Sequence, residues 1–271
     1  MRSILLHIHE DSGLEARLQV ALDIAREFNG HLTCLQPISF DFAVPGDLYG
    51  TMVAELVPAV RESADKTRDR VGRHLANEDA AWDWQQQEGP ARSLLQRAAG
   101  LADLVVLGVR DPESNSKGPS SLNGYMALYG RSPVMVVPEG RRSLDLSGRA
   151  VIGWNGSLES AHALRGAIPL LGKASSVILL NVSEKSEDPG AFLSAVDGAE
   201  YLSRHGIACE IVDAERGSGT VARALLDSAL THGAEYLVVG AYGHTRAFET
   251  VFGGVTRELL SDPPLPIFTA H

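Results

Sequence analysis

Cysteine is scarce in this 271-residue chain: there are two, Cys34 and Cys209, far apart and without metal-type spacing. Two distant thiols in an acidic chain of this size point to a reducing cytoplasm, with both side chains serving as small buried hydrophobes. Long apolar runs are missing too, since none approaches the roughly 18 residues that a spanning helix needs. The opening Met1–His7 carries one charge and an apolar stretch broken by His7 and His9. It reads as the first strand of a domain and not as a signal peptide. Positive charge is in deficit, 24 Lys and Arg against 34 Asp and Glu, for a net charge of −10. That balance argues against nucleic acid or an anionic membrane as partner, because phosphate-backbone binding needs a basic footprint. Neither a catalytic triad, a nucleophile elbow nor a locatable carboxylate pair is visible. The Walker A and G-x-G-x-x-G phosphate motifs and a Ser-Gly-Gly pyrophosphatase-type loop are missing as well.

What is present is an ordinary globular mixture, 44% hydrophobic and 6% aromatic, long enough for about two domains. The chain also repeats itself. Ala102–Gly108 (ADLVVLG) resembles Ala234–Gly240 (AEYLVVG) at an offset of 132 residues, and Arg131–Val137 resembles Pro264–Ala270 at 133. Near the starts, the run from Ile4 to Ser12 plays the same part as that from Ala150 to Ser157: an apolar stretch, then polar residues, then a helix. A period this long indicates a duplicated domain and not a solenoid. The join falls near Gly140–Gly148, giving domains 1–146 and 147–271. The first holds 15 basic and 20 acidic residues, the second 9 and 14, so each carries −5.

Each half alternates strand and helix. Ser12 and Glu15 form a predicted capping box before the stripe Leu14, Leu18, Ala21, Ala25, Phe28, and Asn29-Gly30 ends that helix. In the second half Ser157 caps the stripe Ala161, Leu164, Ile168, Leu171, and Gly172 ends it. Strands follow at His31–Gln36 and Ser176–Val182, helices near Thr51–Asn77 and Pro189–His205, and strands near Trp82–Gln86 and Ala208–Val212. Third helices (Arg92–Leu101, Thr220–His232) lead into Leu104–Gly108 and Tyr236–Gly240, and a fourth helix and closing strand complete each half. Near-continuous Val/Leu/Ile strands between helices predict an α/β fold, two tandem doubly wound parallel-sheet domains. Their ligands belong beyond the carboxyl ends of the strands, where strand order reverses.

At that end of the second half stand Gly240, Gly243, Gly253, Gly254 and Thr256, spaced G-x2-G-x9-G-G-x-T between a strand and a helix. Glycine admits a ligand close to the backbone, and free amides at a helix N-terminus favour an anion. Thr256 adds a hydroxyl, so the segment reads as a phosphate cradle without a Walker lysine. Glycines that merely serve turns and caps are the competing reading.

The spacing G-x2-G-x9-G before the last helix, followed by Pro264-Leu265-Pro266-Ile267, resembles the ATP-binding universal stress proteins. The resemblance covers nearly the whole chain as two tandem copies, the second the closer match. It implies a Rossmann-like domain that binds an adenine nucleotide, is usually dimeric and has a regulatory role in stress survival. Carried over, Gly240, Gly243, Gly253, Gly254 and Thr256 hold phosphates and ribose, and Asn155 takes the place of the family's Asp near ribose and metal. Gly153 and the backbone of Val182 lie along the adenine. Gly254 stands where many members have Ser, and neutral Asn155 supports Mg²⁺ less well than a carboxylate. The first half departs further: Gly108-Val109-Arg110-Asp111 lacks the second glycine, and a Ser/Gly/Pro loop follows. It reads as a degenerate copy that packs against its twin.

Among other candidates, His7 and His9 alternate on a strand, a two-point metal ligand to which Glu10 or Asp11 adds a third, against the commoner role of hydrogen-bonded histidines. His244 lies inside the phosphate loop, with solvent exposure as its alternative. Arg246 and Arg257 either offset phosphate charge or are simply solvated. The expectation is a cytoplasmic tandem stress-response module that binds ATP, AMP or ADP, with or without Mg²⁺, through its second half and forms an intramolecular pseudo-dimer or a homodimer. The alternatives are a scaffold of the same fold acting through protein partners, and a slow ATPase.

Overall fold

The computed structural model describes residues 1–40, 49–110, 120–183, 193–216, 218–241 and 254–271. In chain order the first half forms β1 (Ser3–His7), α1 (Leu14–Phe28), β2 (His31–Ile38), α2 (Tyr49–Leu75), β3 (Ala81–Glu88), α3 (Ala91–Ala99), β4 (Leu104–Gly108), α4 (Ser121–Tyr129) and β5 (Val134–Val137). The second repeats it as β6 (Arg149–Trp154), α5 (Leu158–Leu171), β7 (Ser176–Ser183), α6 (Ala195–Arg204), β8 (Cys209–Glu215), α7 (Val221–Thr231), β9 (Ala234–Gly240), α8 (Gly254–Ser261) and β10 (Ile267–Ala270).

All ten strands form one sheet, ordered β3-β2-β1-β4-β5-β10-β9-β6-β7-β8. Each half therefore has a parallel five-stranded sheet that reverses direction of growth between its first and fourth strands. The halves meet through one antiparallel ladder, in which Phe268 of β10 faces Met135 of β5. Antiparallel pairing here follows from two-fold symmetry: two identical parallel sheets joined edge to edge by their fifth strands must run in opposite senses.

The period-two alternation of strand side chains sorts the core into two layers. Leu6, Val106, Ile152 and Val238 point to the face covered by α1, α2, α5 and α6. Leu5, Val105, Val151 and Leu237 point to the face covered by α3, α4, α7 and α8. Both layers run through both halves. A one-residue register slip would move each of these apolar sets to the wrong layer, so the pairing is strongly specified.

Helix ends follow their local chemistry, with one correction. Asn29 adopts the left-handed conformation (φ 46°) that ends α1, as its Asn-Gly sequence predicts. Ser157 caps α5, its hydroxyl accepting from the Ser160 amide at 3.2 Å. The predicted Ser12/Glu15 capping box is not formed, and α1 begins after Gly13 without a side-chain cap. Asp11 accepts from the Gly13 amide at 2.8 Å, Ser12 bonds the Glu139 carboxylate, and Glu15 is drawn to Arg70 of α2. A short Asx turn and two distant charges thus outcompete the reciprocal bonds of the box. A capping box the sequence reading overlooked does form at the start of α6, between Ser194 and Asp197.

The segment joining the halves is tied down. Leu144 and Leu146 are buried, the Leu144 amide donates to Asp23 at 2.8 Å, and Arg141 pairs with Glu235 at the start of β9. Lys173 at the end of α5 bridges to Glu27 of α1 at 2.7 Å. Cys34 is fully buried, which pushes its thiol pKa up to about 12, whereas Cys209 is half-buried on an edge strand. The expectation of two buried thiols is corrected for Cys209, because β8 has no further strand beside it.

Candidate functional site

Ligands of a doubly wound sheet sit where strand order reverses, beyond the carboxyl ends of the strands. This places one crevice between the ends of β1 and β4 and its twin between the ends of β6 and β9. The two are built from matching elements, and the described residues at their ends differ.

In the second half, β6 ends at Trp154 and the chain turns through Asn155, whose side-chain oxygen accepts from the Ser157 amide at 3.2 Å. Gly156 takes a positive φ of 73°, where a side chain would be strained. Asn155 itself is exposed. Across the crevice stands Gly240, the last residue of β9. A β-carbon there would lie 2.6 Å from the backbone of Glu159 and Ser160 in the first turn of α5. Gly240 thus lets the strand end touch that helix. Gly153 has a packing reason too, since its β-carbon would press on Leu225 and Val239 at 3.1 Å. Val182 is buried near the end of β7, paired in register with Ala214. Gly254 opens α8, with no neighbouring atom among the described residues within 4 Å of its β-carbon position, and Thr256, two residues on, is buried. Arg257 is exposed. Gly243, His244, Arg246 and Gly253 lie outside the described residues. Thr220, the cap of α7, donates to Glu258 of α8 at 2.9 Å and so ties together two helices of this end.

In the first half the corresponding space is occupied. Arg17, only 1% exposed, reaches back from α1 and donates from Nε to the His7 carbonyl at 2.9 Å. Its Nη1 pairs with Asp11 at 2.7 Å and its Nη2 bonds the His9 carbonyl. A β-carbon on Gly108, the last residue of β4, would meet Nη1 at 2.7 Å. Nearby, the buried Asn123 of α4 donates to the Gly108 carbonyl at 2.9 Å. Glu139, beyond β5, pairs with Arg110, whose hydrogen bond holds its carboxyl below the usual range. His7 is buried and its ring stacks 6.0 Å from that of His9. Burial first, then the charges of Arg17 and His9, push its pKa well below the usual 6.5. Among the described residues, no three His, Cys, Asp or Glu side chains are grouped so as to hold a metal ion, and the His7/His9 pair gains no third ligand.

A universal stress protein from Archaeoglobus fulgidus superposes on 98% of this chain, over 97% of its own length, with a TM-score of 0.68 at 17% identity. The fold is that of a tandem universal stress protein. A functionally unknown protein from Pseudomonas aeruginosa PAO1 is also similar, with a TM-score of 0.60 at 15% identity, covering 100% of this chain and 92% of its own. No protein-family model matches the sequence, and no curated protein matches it either.

Within the universal-stress fold the residue that sequence reasoning missed is Arg17. A signal was available: it sits beside Leu18 and one turn from Leu14 on the apolar face of α1, where a charge demands a partner. Periodicity singles out the stripe but does not show that a guanidinium turns back from it to the strand ends. Among the described residues no helix is long and apolar enough to cross a membrane.

Proposed function

We propose that this chain is a cytoplasmic, regulatory universal-stress module whose second half binds ATP or a related adenine nucleotide. The observation that carries the reading is the start of α8: Gly254 stands at a helix N-terminus beyond the end of β9 with none of the described residues crowding it, and Thr256 is on the same turn. Such a terminus offers unpaired amides and a favourable dipole to a phosphate, so binding does not require a basic field in an acidic protein. Gly254 and Thr256 would face the phosphates, together with Gly243, His244 and Gly253. Asn155, Gly153, Val182 and Gly240 would frame the ribose and base. A Mg²⁺ ion would arrive with the nucleotide, since the neutral Asn155 adds at most one weak oxygen ligand.

A second reading, a scaffold acting through protein partners, draws on Gly240 and Gly153, whose missing β-carbons are already explained by packing. The two readings separate at Gly254, where no contact among the described residues calls for a glycine. In Gly254→Asp a carboxylate would face the phosphates while favouring the helix dipole. The expected result is at least tenfold weaker ATP binding by calorimetric titration, with an unchanged melting temperature. Wild-type protein that releases no nucleotide on denaturation and takes up no ATP would leave the scaffold reading standing. Turnover on the order of 1 per second or faster would instead mark an enzyme.

A further inference from the structure

The two crevices differ at one matched position. The buried positions Arg17, Leu18, Ala21, Ile24 and Ala25 of α1 match Ala163, Leu164, Ala167, Leu170 and Leu171 of α5, so a buried guanidinium in one half corresponds to a buried methyl group in the other. We propose that Arg17 is a built-in plug that closes the first half's crevice to anionic ligands, so that one nucleotide binds per chain. The proposal rests on the nucleotide reading for the second half, but the closure of the first stands on its own geometry.

Arg17 spans the switch point from side to side. Its donors hold the carbonyls of His7 and His9 beyond β1, and its Nη1 lies directly under the end of β4 at Gly108. Its charge is already answered by Asp11, so it is not a cation awaiting a phosphate. Ser12 and Glu139 close the flank, and a phosphate entering there would meet two carboxylates, Asp11 and Glu139. Displacing the guanidinium would strand Asp11 and two carbonyls in a water-poor site, a large penalty for any ligand to overcome. Among the described residues of the second half no guanidinium stands at the matched place: Gly240 abuts the backbone of α5, and the side chain of Ala163 is a methyl group.

Two measurements on the full-length chain test the plug. Equilibrium dialysis with ATP is expected to give about one nucleotide per chain, and Ala163→Arg, which copies the plug into the second half, is expected to weaken binding at least tenfold. Phenylglyoxal with peptide mass mapping is expected to leave Arg17 unmodified, with or without ATP, while exposed Arg204 reacts. Two nucleotides per chain, or Ala163→Arg that folds and binds like wild type, would overturn the plug and spare the nucleotide reading. Arg17 that reacts like Arg204 would overturn it whatever the second half binds. No bound ATP with Arg17 unreactive would overturn the nucleotide reading while supporting the closure. If Ala163→Arg fails to fold, the wild-type stoichiometry and Arg17 reactivity still decide the matter.

Discussion

Gly108 and Gly240 occupy matched strand ends, yet each is required for a different reason. At Gly240 the neighbour is rigid backbone, 2.6 Å from where a β-carbon would sit. Gly240→Ala is therefore expected to destabilise the chain by about 1–3 kcal/mol, the usual cost of overpacking. Gly254→Ala, made where none of the described residues crowds the β-carbon, is expected to stay within about 0.5 kcal/mol of wild type. Urea midpoints compared at constant slope would show the contrast. His7 gives a pH signature. Its folded pKa lies below the unfolded value of 6.5, so the unfolded chain binds the extra proton as pH falls. Stability is then whole above that value and lost on acidification below it. His7→Gln is expected to flatten the fall in melting temperature between about pH 6.5 and pH 5, where wild type pays for holding a neutral histidine.

At the scale of elements, propensity and packing agree in most places, which is why the order of strands and helices was legible. Apolar runs such as Leu104–Gly108 are too short for helices and bounded by polar residues, and they became strands with those bounds. The α1 cap was misread because it depends on Glu139 and Arg70, more than fifty residues away, which no local pattern reveals. The short strand β10 has an outsized role, since it pairs with β9 on one side and β5 on the other. Its Phe268 is fully buried and packs near Gly166 of α5. Phe268→Ala is expected to cost about 3–5 kcal/mol, measured by denaturant unfolding. That loss would weaken the joint between the halves as well as the second core.

Over the whole molecule, two core layers and a continuous sheet join two copies of a fold, which are therefore expected to unfold as one cooperative unit. Trp82 and Trp84 report on the first half and Trp154 on the second. Single-tryptophan variants are expected to show coincident urea transitions; separate midpoints would mean that the halves unfold independently. Cutting after Leu146, the proposed boundary, would bare the fully buried edge of β5. The isolated first half is expected to self-associate through that edge, visible by sedimentation, because an unpaired apolar strand recruits another.

The sequence by itself determined the duplication, the α/β class and the even division of acidity, because periodicity and composition are local quantities that survive without a fold. It also marked the glycines near the strand ends of the second half. The tertiary structure decided what lies opposite the strand-end glycines: the backbone of α5 beside Gly240 and the Arg17 guanidinium under Gly108. It also decided that β5 and β10 join the halves into one sheet. These are contacts between residues distant in the chain, set by how the elements pack, and no local pattern encodes which side chain will fill a crevice.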